Sequence, residues 1–226
     1  MKAEHVKLAF AEGTVTEPSD IAMSFEVHEL CSVRITSGHI VACDPLTAPG
    51  TAPFAQKVPA GEFPVRVAVA NIKQDRRVAY AKVAFNEATI ARWEMATVGD
   101  QNPAQLKPGE LFGYGVDAGT GCFADVEAMR SLEQRYGADD EYYEVILAEL
   151  EKTYIRTWGW ADHRVDVDAN VVMFSSGWGD GFYASYFGFA ADGEVAALVT
   201  DFDVLYDPEE LELDSAVGKP WWKFWG

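Results

Sequence analysis

Apolar and polar residues alternate most clearly over residues 63–71 and 77–85, where valine, alanine, tyrosine and phenylalanine are interleaved with arginine, lysine and asparagine. A period of two predicts strands with one buried face, and the polar run 72–76 between them predicts a hairpin turn. Weaker alternation predicts a strand over 6–15, two short strands over 31–43 bent at Gly38, and a strand over 90–98. The stretch 48–59, with its proline, glycine and threonine, reads as a loop. After Pro103 and Pro108 a short strand over 111–116 feeds a glycine-dense segment. Asp125 then stands where an N-cap belongs, ahead of a helix over 126–136. A second helix over 141–155 sets Tyr142, Val145, Ile146, Glu149 and Leu150 at helical spacing, a stripe suited to lying on a sheet. Strands return over 170–175, 183–190 and 194–203, and Asp192-Gly193 tolerates the positive φ of a tight hairpin. The pattern is α+β: a strand-rich, mostly antiparallel sheet or sandwich with an inserted helical pair. It reads as a single domain over 1–226 that ends in an aromatic tail at 219–226.

Two segments echo each other. Residues 113–125 read G-Y-G-V-D-A-G-T-G-C-F-A-D, and residues 175–183 read S-S-G-W-G-D-G-F-Y. Each leaves an apolar run and packs glycines around an aspartate, which suggests backbone in positive φ or in close approach. Three further segments stand in order with them: V-P-A-G-E-F-P-V at 58–65, R-W-E-M-A at 92–96 and V-T-D-F at 199–202. Over about residues 35–205 the chain thereby resembles the bacterial domain-of-unknown-function family 4241. The resemblance implies a bacterial, non-secreted protein and carries no chemistry to these residues.

Charge narrows the partners. Lys and Arg number 18 against 36 Asp and Glu, a formal net charge of −18. Such a chain is repelled by a nucleic-acid backbone and by an anionic membrane, and no run approaches the length of a membrane span. Residues 1–12 lack the basic-then-apolar order of a signal peptide. The cysteines, Cys31, Cys43 and Cys122, are odd in number and show no ligand-type spacing, so a reduced cytoplasm is the simplest setting. Asp201, Asp203, Asp207, Glu209, Glu210, Glu212 and Asp214 run without a basic residue until Lys219. A second acidic group, Asp139, Asp140, Glu141, Glu144, Glu149 and Glu151, lies on the second predicted helix. Such runs are solvated faces, or together a directional field.

The candidate chemistry starts from carboxylates: Asp44, Asp117, Asp125, Asp180 and Asp201. If their strands neighbour each other, Asp117 and Asp180 reach the same edge of the sheet. With Asp125 and Asp201 they would suit Mg²⁺ or Ca²⁺, hard cations that take oxygen, and a metal so held could activate water against a phosphoester. The same residue type in glycine-rich loops also makes Asx turns and helix caps, and both roles stay open. Cys122 precedes a predicted helix, where a thiol is activated, with His39 or His163 as the base it would need; burial as a small packed residue is the ordinary alternative. G-T-G-C-F-A-D lacks the lysine of a P-loop and the order of a dinucleotide site, and its aspartates would repel phosphate.

Trp221, Trp222 and Trp225 crowd the tail, where aromatic rings fold back on the sheet or anchor an interface, including one with a second copy. Two functions follow. The first is an acidic cytoplasmic protein that masks a basic protein partner, as an immunity protein masks a toxin, through Asp207, Glu209, Glu210, Trp221, Trp222 and Trp225. The second is a metal-dependent hydrolase of a phosphoester or nucleotide, with Asp117 and Asp180 catalytic. The first expectation involves no cofactor, the second a Mg²⁺ or Ca²⁺ ion.

Overall fold

The computed structural model describes residues 1–16, 22–139 and 141–205. Asp207, Glu209, Glu210, Trp221, Trp222 and Trp225 lie outside the described residues, as does the rest of the predicted aromatic tail. The described elements run α1 (Ala3–Ala9), β1 (Thr14–Thr16), β2 (Ala22–Ile35), β3 (Ile40–Cys43), β4 (Gly61–Ile72), β5 (Asp75–Ala84) and β6 (Ile90–Met95). They continue with β7 (Tyr114–Val116), β8 (Thr120–Asp125), α2 (Val126–Ala138), α3 (Tyr142–Glu151), β9 (Trp160–Asp166), β10 (Ala169–Ser175), β11 (Gly181–Ala190) and β12 (Val195–Asp201).

Eight strands form one sheet in the order β1-β2-β4-β5-β12-β11-β6, with β7 also paired to β11; β3-β8-β10-β9 form a second. The strand pairs are antiparallel throughout. The smaller sheet is covered on both faces. Ile40, Ala42, Phe123, Val172 and Phe174 join the core shared with the larger sheet. Their strand neighbours Val41, Cys43, Cys122, Ala124, Val171 and Met173 pack with Val126, Met129 and Leu132 of α2 and Ile146 of α3. The order of layers is therefore large sheet, small sheet, helices. Each fully buried Val, Leu or Phe side chain in it contributes roughly 1.5–3 kcal/mol.

The α+β architecture, the 63–85 hairpin and the helical pair agree with the sequence pattern. Residues 6–15 do not, because the chain opens in the helix α1 and reaches only a short strand afterwards. Val6, Leu8 and Phe10 imitate a period of two, yet the buried pair is Val6 and Ala9, three apart, while Leu8 is 41% exposed. Strand β8 lies hidden in the glycine-dense segment. All six of its positions are buried, so it has no polar alternation to betray it.

Candidate functional site

The two glycine-dense segments are a pair of crossings between the sheets. Residues 117–119 carry the chain from β7 in the large sheet to β8 in the small one, and residues 176–180 return it from β10 to β11. Because Ser175 pairs with Thr120 and Gly181 with Val116, the crossings are bracketed by ladders at both ends and must run side by side. Asp117 and Asp180 follow directly on the last pair of the β7–β11 ladder. The strands that carry Asp117 and Asp180 are therefore neighbours, the condition on which the sequence expectation of a shared edge rested.

The crossings are held rigidly. Ser176 N donates to Gly119 O at 3.1 Å, and Gly179 N donates back to Ser176 O at 2.6 Å. Ser176 Oγ and Tyr183 OH both donate to Gly179 O, each at 2.9 Å. Gly177 has φ +43°, and a Cβ there would stand 2.6 Å from Phe202 O, so only glycine fits. Gly119, at φ +62°, lies against Gly179 with room for no more than ordinary contact.

Asp44, fully buried just after β3, anchors the first crossing from below. Its Oδ2 accepts from Asp117 N at 3.0 Å and Ala118 N at 2.7 Å, and its Oδ1 accepts from Leu46 N at 2.9 Å. Asp125 is the expected N-cap of α2, accepting from Glu127 N at 2.8 Å. Its second oxygen accepts from Thr36 N, Ser37 N and Ser37 Oγ, all at 2.8 Å, which pins the β2–β3 turn to the helix. Asp125 therefore leaves the predicted metal set: its oxygens are filled, and it closes β8 at the end away from Asp117, a six-residue strand's length of about 20 Å. Asp201, half-buried at the end of β12, accepts from Asp203 N at 3.0 Å. Among the described residues no three His, Cys, Asp or Glu side chains are grouped to hold a metal ion.

What the crossings display is acidic and aromatic. Asp117 and Asp180 are exposed, Trp178 in the second crossing is 43% exposed, and Phe182, 55% exposed, follows at the start of β11 with its ring beside Gly113. Arg77 lies over the Trp178 ring at 4.9 Å and is itself held by Asp75 at 2.8 Å. Burial acts to raise the Asp75 carboxyl, but the Arg77 guanidinium, the Thr157 hydroxyl and the Arg76 amide outweigh it and leave it below the ordinary carboxylate range.

The thiol and histidine candidates are separated from this surface. Cys122 and Cys43 are opposite each other on β8 and β3, fully buried, with their sulfurs 3.6 Å apart. The hydrogen bond to Cys122, followed by burial, pushes the Cys43 thiol well above its usual value. His163 does not serve Cys122 as a base. Its Nδ1 meets Glu149 Oε2 at 2.8 Å and its Nε2 meets Tyr142 OH at 3.0 Å, which fastens α3 to β9. Sequence reasoning missed this trio, although a glutamate inside the apolar stripe of α3 signalled a buried partner. Val145, placed in that stripe, is 47% exposed. His39, half-buried in the β2–β3 turn, instead receives Val126 N on its carbonyl.

No helix among the described residues is long and apolar enough to cross a membrane. A model of the family described as "Protein of unknown function (DUF4241)" matches residues 33–200, which spans both crossings and most of both sheets. No curated protein and no solved structure matches the chain.

Proposed function

We propose that this chain, which belongs to the family DUF4241, is an acidic binding protein that masks a basic protein partner, in the manner of an immunity protein neutralising a toxin. The observation that carries the reading is the pair of crossings. A rigid glycine frame, braced by the buried Asp44, presents the exposed Trp178 and the exposed Asp117 and Asp180 on adjacent crossings, with the exposed Phe182 following in β11. Aromatic anchors on a pre-organised frame lose little entropy on binding, and the net charge of −18 steers a cationic surface toward them. Asp44 and Asp125 fit the same reading, since they spend their oxygens on backbone amides and act as internal braces. Asp207, Glu209, Glu210, Trp221, Trp222 and Trp225 belong to the proposal as a second contact from the tail.

The test is affinity capture at low salt with the full chain, followed by titration of the purified partner against wild type, Asp117→Lys/Asp180→Lys and Asp207→Lys/Glu209→Lys/Glu210→Lys. A basic partner whose affinity falls with salt and with either set of reversals supports the reading. A partner indifferent to both, or none at all, removes it.

A metal-dependent hydrolase is the second reading, and the neighbouring positions of Asp117 and Asp180 at the end of one ladder favour it. Exposed paired carboxylates suit a hard cation such as Mg²⁺ or Ca²⁺, which would supply the activated water. Calorimetry with Mg²⁺, Mn²⁺ and Ca²⁺ separates the two readings. Heat that vanishes in Asp117→Asn/Asp180→Asn favours the hydrolase, and a flat titration returns the site to partner binding.

A further inference from the structure

Strand β6 is the outer strand of the large sheet. β11 pairs with it on one side, and no described residue pairs with Ile90–Met95 on the other. Beyond its end, Ala96 N donates to Ser185 O at 2.8 Å. The alternation of an antiparallel ladder then turns the backbone of Glu94 and Arg92 toward β11 and that of Trp93 and Met95 outward. Thr97, the next outward position, agrees with this, because its carbonyl accepts from Ala55 N at 2.8 Å on the outer side.

We propose that this free edge pairs with the same edge of a second copy of the chain, antiparallel about a two-fold axis at Trp93. The register follows from charge. Centred on Trp93, the pairing sets Arg92 opposite Glu94 of the second copy and Glu94 opposite its Arg92. Moving the two-fold axis by one residue, a slip of two residues between the strands, sets Arg92 against Arg92 or Glu94 against Glu94, and like charges directly opposite are destabilising. In the Trp93 register the outward amides of the two tryptophans form the hydrogen-bonded pair; backbone alternation excludes a slip of one residue, and charge excludes a slip of two. Arg92 and Glu94 are about half exposed and already bonded to each other at 2.6 Å, so they stand ready on one face of the strand. Charges on an edge strand ordinarily prevent pairing; here their alternation is self-complementary and admits one partner geometry.

Two chains of −18 repel, yet at about 0.15 M salt that repulsion is screened beyond ~8 Å while cross-strand neighbours stand ~5 Å apart. The bulge at Phe189/Ala190, which makes Ala91 the extra residue, confines the ladder to a few residues, so the dimer dissociates on dilution. This inference is independent of the basic-partner reading.

Sedimentation equilibrium of the full chain over a wide concentration range tests it, with hydrogen exchange of the Trp93 and Met95 amides measured alongside. The expected result is a reversible dimer in which those two amides are protected as concentration rises. R92E and E94R should each weaken it about tenfold or more, because each converts both cross-strand pairs to like charges. Mixing the two variants should restore association as a heterodimer, since the two carboxylates of one variant then face the two guanidinium groups of the other. A chain that stays monomeric throughout overturns the proposal. So does a dimer that neither variant weakens, or a mixture that associates no better than its components; the exchange data on wild type decide the matter should a variant not fold.

Discussion

Asp125 accepts from four donors and Asp117 has no side-chain hydrogen bond among the described residues, although both come from one glycine-dense segment. Their substitutions should differ accordingly. Asp125→Ala strips a helix cap and removes the acceptor of the part-buried Thr36 and Ser37 amides, and should cost about 1–3 kcal/mol of stability. Asp117→Asn, at an exposed position, should stay within about 0.5 kcal/mol of wild type. Urea unfolding midpoints of the two variants decide this, and a stability loss at Asp117 equal to that at Asp125 would refute the division into braces and displayed groups. Gly177→Ala should cost about 2 kcal/mol or more, because the new methyl meets the Phe202 carbonyl and the backbone has positive φ. The aspartates were visible in the sequence; which of them faces backbone amides was not, because Asp44 reaches Asp117 and Ala118 from another strand.

At the scale of elements, β2, β3 and β8 carry the three cysteines into unreactive places. Burial, reinforced by Asp162, pushes the Cys31 thiol up to about 12, and Cys43 and Cys122 are fully buried. Thiol titration at pH 8 should therefore detect almost none of the three in the folded chain and all of them in denaturant. Native reactivity at Cys122 would revive the nucleophile that its place before α2 suggested. The β4–β5 hairpin carries a pH dependence. The Asp75 carboxyl is held below the ordinary carboxylate range, so the folded state binds fewer protons there than the unfolded chain. Its stabilising contribution is present above the unfolded value of ~4 and is lost as pH falls through the lowered folded value. Asp75→Asn should flatten the acid limb of a stability–pH curve without changing its slope above pH 6; an unchanged acid limb would count against the Arg77 pairing. Hairpin, helices and the Asp125 cap were legible because each signal is local. Strand β8 and the helix at 3–9 were not, since burial on two faces erases alternation and a short helix can imitate it; β9 does alternate, but its buried positions include His163, which does not read as apolar.

For the whole molecule, the net charge makes its own prediction. Affinity for a basic partner should drop steeply between about 50 and 200 mM salt, through the association rate more than the dissociation rate. Stopped-flow binding at several ionic strengths measures this, and a salt-independent association rate would detach the charge from the function. The α+β class, the hairpin, the helical pair with its cap, the net charge of −18 and the kinship of the two glycine-dense segments were readable from the chain alone. These depend on periodicity, on residue chemistry and on composition, all of which are written locally. Long-range pairing adds that those segments run side by side as crossings between two sheets, that Asp44 and Asp125 are internal braces, that Cys43 faces Cys122, and that β6 has no outer partner among the described residues. Each of these depends on which distant strands pair, and strand pairing is fixed by the simultaneous burial of both faces of the small sheet rather than by any one stretch of chain.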